Sequence, residues 1–258
     1  MSGMPLAYSI ATRIREAHVA ELMGDVDGRR VLDCGCGLGY FSDLLARRGA
    51  CVWGVDPDTS SMGFWRKGVR RCRFVVGESE RLPFRNGVFD AILCSEVIEH
   101  VRDDSRAIAE MARVGRPGAA VVITVPCLDG LFAARIKRIA HDHSGTFEEH
   151  HRDGYTFPDL EGKLASGGIT VVEKRYSMIF LSELVMGLCK LAYSSGGRKL
   201  TRQADILPVA DSFLFKLWRF VFPCVMALCR LEDVLLSRRA KGHMLIVKGV
   251  VNEAAAGS

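Results

Sequence analysis

Short stretches of this sequence carry residue types whose spacing suits chemistry. In "VLDCGCGLGY", Val31 to Tyr40, an apolar run ends in Gly35, Gly37 and Gly39, with Asp33 just ahead of them. Glycine costs backbone entropy and is kept where φ must be positive or where something approaches the backbone closely. A strand that turns sharply into a helix also leaves backbone N–H groups free to meet a ligand. Asp56 ends "CVWGVDPD", where a carboxylate can accept hydrogen bonds from two ribose hydroxyls. Glu78 and Ser79 open "ESERLPF", and Glu96, Glu99 and His100 lie in "EVIEH". His150 and His151 stand together in "EEHHRDGYT".

The elements that must position these residues alternate. "RRVLDC", "CVWGVD", "CRFVVGE", "GVFDAILCS" and "AAVVITVP" read as short, apolar strands. "YFSDLLARRG", "TSSMGFWRKG" and the long "EVIEHVRDDSRAIAEMARVGRPG" read as the helices between them. Asp103, Asp104 and Ser105 supply start signals within the last of these, and Gly115 with Pro117-Gly118 stops it. "FPDLEGKLASGG" follows as a helix, then "ITVVEKRY" and "HMLIVKGVV" as the final strands. Such alternation implies a parallel sheet with helices on both faces. Ligands of open α/β sheets sit outside the carboxyl ends of the strands, so the chemical residues converge on one crevice.

The constellation resembles the class I S-adenosylmethionine-dependent methyltransferases. "VLDCGCGLG" is similar to the family's first motif, "GVDPD" to its ribose-binding strand end and "GESERLPF" to its adenine-side segment. "FDAILCSEVIEHV" through "EMARVGRPGAAVVITVP" is similar to its later motifs. The resemblance implies a Rossmann-like, doubly wound seven-stranded sheet with the last strand antiparallel. It also implies S-adenosylmethionine as cofactor, held by Asp33, Gly35, Cys36, Gly37, Gly39, Asp56, Pro57, Glu78, Ser79 and Ser95. The expected divisions are a cofactor-binding core over 1–176, a hydrophobic helical insertion over 177–242, and the last core strand with a tail over 243–258.

A sulfonium already carries an activated methyl group, so the protein must mainly align the acceptor, which contributes on the order of 7–11 kcal/mol. A base is needed only where the acceptor starts protonated, as a phenol does. The resemblance puts the segment after the fifth strand near the substrate, which makes His150 and His151 the candidate bases; the competing reading is a pair of solvated loop histidines. Glu96, Glu99 and His100 fall at i, i+3 and i+4, one face of a helix. That set suits a divalent metal holding substrate oxygens. It is similar to the E-x-x-E-H arrangement of two metal-dependent groups, although metal-free methyltransferases carry similar segments that brace the rim. Cys34 and Cys36 have no second close pair and are not read as metal ligands.

Composition narrows the partners. The chain has 258 residues, 48% of them hydrophobic, with nine cysteines and a net charge of +5. The opening "MSGMPLAYSIATRIREAH" lacks the apolar segment of a secretory signal, so reduced thiols and a cytoplasmic setting are expected. The mild basicity falls short of a dedicated nucleic-acid binder, and no nucleic-acid partner is expected. A mean hydropathy of +0.13 leaves apolar surface to explain. Much of it lies in "YSMIFLSELVMGLCKLAY" and "DSFLFKLWRFVFPCVMALCRLEDVLLSRR". In the second, Lys216, Arg219, Pro223, Arg230, Asp233 and Ser237 form a narrow polar stripe, and Pro223 should kink or split the helix. An apolar arc this wide suits a cap over a lipophilic substrate, a helix lying on a membrane surface, a dimer face, or plain core packing. The expected reaction is methyl transfer to a small, lipophilic acceptor such as a phenol or quinone precursor. Oxygen is the expected methyl acceptor atom and carbon the alternative; an inactive cofactor-binding scaffold is the non-enzymatic alternative.

Overall fold

A computed structural model describes residues 9–59, 72–130, 151–185 and 213–253, without the side chains of 213–217. In chain order the elements are α1 (Ile10–Leu22), β1 (Arg30–Cys34), α2 (Tyr40–Arg47), β2 (Cys51–Asp56), β3 (Cys72–Val76) and β4 (Phe89–Ser95). Then follow α3 (Asp104–Val114), β5 (Gly115–Pro126), α4 (Phe157–Ser166), β6 (Ile169–Ser177), α5 (Phe213–Leu236) and β7 (Met244–Val251). The expected helix over "TSSMGFWRKG" lies outside the described residues.

The strands form one seven-stranded sheet in the order β3-β2-β1-β4-β5-β7-β6. β1 to β5 run parallel, and β7 runs antiparallel between β5 and β6. Strand residues alternate between two cores because successive side chains point to opposite faces. Leu32, Ile92, Ile123 and Val247 meet Ile108 and Met111 of α3 and Leu160 and Leu164 of α4 on one face. Val31, Leu93, Val122 and Ile246 meet Ile14 of α1, Leu45 of α2 and Phe222, Met226 and Cys229 of α5 on the other. Both faces are therefore covered, as a parallel sheet requires.

Two elements differ from the expectation. The helical reading from Glu96 onward begins only at Asp104; Asp103 is its N-cap, its side chain accepting from the Arg106 amide. Ahead of it, Glu96 takes a φ of 56° and the chain passes through turns. The apolar spacing of "EVIEH" reports burial of Ile98, not helix. Pro223 does not split α5, which continues through it from Phe213 to Leu236. Its ring lies on the exposed side of the helix.

Candidate active site

The site is built on the loop between β1 and α2. Gly35, Gly37 and Gly39 all take positive φ, of 72°, 48° and 77°. At Gly35 a second constraint applies: a Cβ there would lie 2.2 Å from Val97 Cγ2, so the turn after β4 sits directly on the loop. A Cβ at Gly37 would meet nothing within 4 Å, so this part of the loop borders open space. The amides of Gly35 and Cys36 donate to the Val55 carbonyl at 2.8 and 3.0 Å, tying the loop to β2. Gly39 is the N-cap of α2, which points its amino end toward the loop.

Asp56 completes this junction. Its Oδ2 accepts from the Gly37 amide at 2.7 Å and its Oδ1 from the Asp58 amide at 2.9 Å. Burial raises its pKa against the effect of these two bonds. Each carboxylate oxygen has a further lone pair, so both remain able to accept from hydroxyls. Asp33 is different. It is buried beneath the loop, accepts from the Ser42 hydroxyl at 2.6 Å, and is pushed up to about 6 by burial. This bond links the end of β1 to α2 beneath the loop. Cys36 is buried, and burial pushes its thiol up.

The other predicted residues line the same rim. Pro57 and Glu78 are exposed, and Ser79 is buried at the start of a short 3-10 turn, Ser79–Arg81. That segment is held from α3: Glu110 accepts from the Leu82 amide at 2.8 Å, while Arg113 reaches the Leu82 and Phe84 carbonyls. Ser95, at the end of β4, pairs its hydroxyl with that of Thr124 at 2.9 Å.

Glu96, Glu99 and His100 occupy turns and do not share a helix face. Glu99 is fully buried, and His100 Nε2 lies 3.9 Å from its Oε1. Burial, and then the charge of Glu96, push the Glu99 carboxyl well above the usual range. Among the described residues, no group of three His, Cys, Asp or Glu side chains is arranged to hold a metal ion. His150 lies outside the described residues. His151 is exposed, and the next residue, Arg152, donates its amide to the Glu99 carbonyl at 3.1 Å. The carboxylate of Asp104 anchors this approach, receiving Tyr155 at 2.8 Å, Arg152 at 2.8 Å and Lys163 at 3.0 Å. Burial opposes its charge, but these donors hold its carboxyl below the ordinary value.

Helix α1 supplies residues that the sequence did not announce. Arg15 reaches the Ser95 hydroxyl at 3.4 Å and lies 4.0 Å from Glu96. Glu16 accepts from the Tyr40 hydroxyl at 2.5 Å and pairs with Arg13. The Arg13 and Glu16 spacing is legible as a helical ion pair, but nothing in it points to Tyr40 or to the rim.

β1 and β4 are adjacent, and the chain order reverses between them. This is the switch point at which open α/β sheets bind ligands. Residues 32–123 match the model of the family described as "Methyltransferase domain". The matched residues run from β1 into β5, the strands that build the crevice. It is 39% identical over 136 residues to an uncharacterized methyltransferase of Mycobacterium sp. (strain JLS), which covers 53% of this chain and 54% of that one. It is 34% identical over 116 residues to a ubiquinone biosynthesis O-methyltransferase of Alkalilimnicola ehrlichii, covering 43% of this chain and 47% of that one. The chain thus spans about half the length of these relatives. Among solved structures it is similar to a putative sarcosine dimethylglycine methyltransferase from Galdieria sulphuraria. That match has a TM-score of 0.61 at 16% identity, covering 95% of this chain and 86% of the other. It shows that the sheet and helices around the methyltransferase domain share one fold with that protein.

Proposed function

We propose that this protein transfers the methyl group of S-adenosylmethionine to the hydroxyl of a small, lipophilic acceptor, a phenol or quinone precursor, at or near a membrane surface. The observation that carries the reading is the junction of Gly37 and Asp56 at the switch point, within the matched methyltransferase domain. It fits an adenosyl ligand. The carboxylate is fixed by backbone donors yet keeps lone pairs for ribose hydroxyls, and the loop beside it borders open space at Gly37. When bound, the cofactor supplies an activated methyl on a sulfonium.

The remaining work falls to the chain. The glycine loop and Cys36 lie along the methionine part, with Asp33 bracing them from below. Asp56 and Pro57 hold the ribose side, and Glu78 and Ser79 flank the adenine. Ser95 and the turn carrying Val97 close the crevice against the loop. A phenol, with an ordinary pKa near 10, must lose its proton on methylation. His150 or His151 receives it; of the two, His151 adjoins Arg152, whose amide donates to the Glu99 carbonyl. The lipophilic acceptor is supported by the ubiquinone-biosynthesis relative and by the apolar surface of α5.

Two measurements test this. Asp56→Ala is expected to weaken S-adenosylhomocysteine binding by roughly 1.5–3 kcal/mol, read by calorimetry on a folded variant. Unchanged affinity removes Asp56 from the ribose. Incubation of the protein with methyl-labelled cofactor and host extract is expected to place label in the organic-soluble fraction. Label appearing only in water-soluble products overturns the lipophilic acceptor.

A further inference from the structure

Helix α5 has two faces of opposite character. Phe222, Met226, Cys229, Asp233 and Ser237 form the inner one and are buried. They recur at the three- and four-residue steps of one helix face. The inner face is fastened by polar contacts as well as by packing. Asp233 accepts from the Met178 amide at 3.1 Å and the Ser177 hydroxyl at 3.3 Å, and pairs with His18 of α1. Glu232 accepts from the Leu181 amide at 2.9 Å. The polar stripe expected along this helix is therefore divided. Asp233 and Ser237 point inward, while Arg219, Pro223 and Arg230 are exposed.

The opposite face is apolar and exposed. Phe220 is 83% exposed, Val234 77%, Leu235 62%, and Leu228 and Leu231 each 56%. Cys224 and Ala227 lie between them on the same stripe, also exposed. A contiguous exposed stripe of this kind marks an interaction surface. Fixed donors and acceptors on the inner face keep α5 from rolling over to bury it.

We propose that this stripe of α5 lies on an anionic lipid bilayer. The inference rests on the lipophilic-acceptor reading only for its purpose; the surface is argued from its own chemistry. Charge selects the occupant. Arg219 and Arg230 flank the stripe, and Arg238, Arg239 and Lys241 follow its end, all exposed. The acidic residues of the helix, Glu232 and Asp233, are spent on the Leu181 amide and on the inner face. At the helix end Arg238 pairs with Glu173 at 3.2 Å and Lys241 with Asp129 at 3.1 Å, so the surplus of positive charge rests with Arg230 and Arg239. An apolar stripe with a net positive rim complements anionic headgroups over an acyl boundary. A second copy facing the first would bring the same arginines together, where like charges oppose association. The face lies on the surface and does not cross it: no described helix is long and apolar enough to span a membrane.

The test uses the full chain without cofactor, so it fails or succeeds independently of methyl transfer. Phosphatidylglycerol–phosphatidylcholine vesicles are expected to pellet the protein, and pure phosphatidylcholine vesicles far less. Raising salt should weaken pelleting, since surface charge is screened. The variant Phe220→Ser/Leu231→Ser/Val234→Ser, changed only on the exposed face, should lose at least tenfold in vesicle affinity. A second readout needs no variant. Alkylation of Cys224, followed by peptide mass, should slow at least fivefold with anionic vesicles, while the exposed Cys51 on β2 reacts as before. Wild-type protein that stays in the supernatant overturns the proposal, as does Cys224 reactivity unchanged by vesicles. A stable dimer that the triple variant breaks, without vesicle binding, assigns the face to a second copy and overturns it too.

Discussion

Asp33 and Asp56 attend the same glycine loop but are satisfied differently. Asp56 receives two backbone amides at the rim, whereas Asp33 is buried with the Ser42 hydroxyl as its donor. Burial carries the Asp33 pKa from the ordinary 3.8 to about 6. A carboxyl whose folded pKa exceeds its unfolded one binds more protons when folded. Stability then falls as pH rises from about 4 through about 6, by ~3 kcal/mol for a displacement of this size. Asp33→Asn keeps an oxygen for Ser42 and removes the titration. Thermal melts at pH 4.5 and 7.5 should therefore converge in the variant relative to the parent. An equal spread in both proteins would place the pH dependence elsewhere.

Element by element, legibility followed burial. β1, β2 and β4 were readable because they are short runs of Val, Leu, Ile and Cys ended by turn residues, and α2 and α4 because their apolar positions repeat at helical spacing. The turn from Glu96 to Asp103 was not, because "EVIEH" offers helical spacing while its geometry is imposed from outside. Val97 must close on Gly35, and Glu99 must present its carbonyl to Arg152. In the site, the glycines and Asp56 announced themselves by type and position. Arg15 and Glu16 did not, since their meaning depends on α1 crossing to β4 and α2. For α5 the sequence showed an apolar helix but not which side faces in. Phe222 of the apolar arc is core, and Asp233 of the polar stripe is buried too. Removing the Asp233 carboxylate leaves buried donors on His18, Ser177 and Met178 without it. A buried polar group left without its partner costs about 1–3 kcal/mol. Asp233→Ala should fall in that range by chemical denaturation, with Asp233→Asn intermediate. A loss under 1 kcal/mol would mean that apolar packing alone holds α5.

At the scale of the whole molecule, the methyltransferase domain match ends at residue 123, yet the sheet does not. β5 carries on to Pro126, and its outer neighbour is β7, the last strand among the described residues. β7 pairs with β5 from Ala120 to Pro126 and with β6 from Ile169 to Ser177. β6 therefore reaches the sheet only through β7, and Leu245, Ile246 and Val247 fill both cores. Each ladder bond contributes about 0.5–1.5 kcal/mol net, against a total stability of about 5–15 kcal/mol for a typical domain. Removing two ladders and those apolar side chains exceeds that total. A chain ending at Gly242 keeps every residue assigned here to the cofactor, from Asp33 to Ser95. It should nonetheless show no cooperative melt, and no S-adenosylhomocysteine binding by calorimetry. Adding the missing segment back as a peptide, or fusing it through a flexible linker ahead of α1, should restore both to the extent that β7 re-forms between its neighbours. If the truncated chain melts cooperatively and binds with parental affinity, β7 and β6 are an appendage, and the parallel strands carry the site without them.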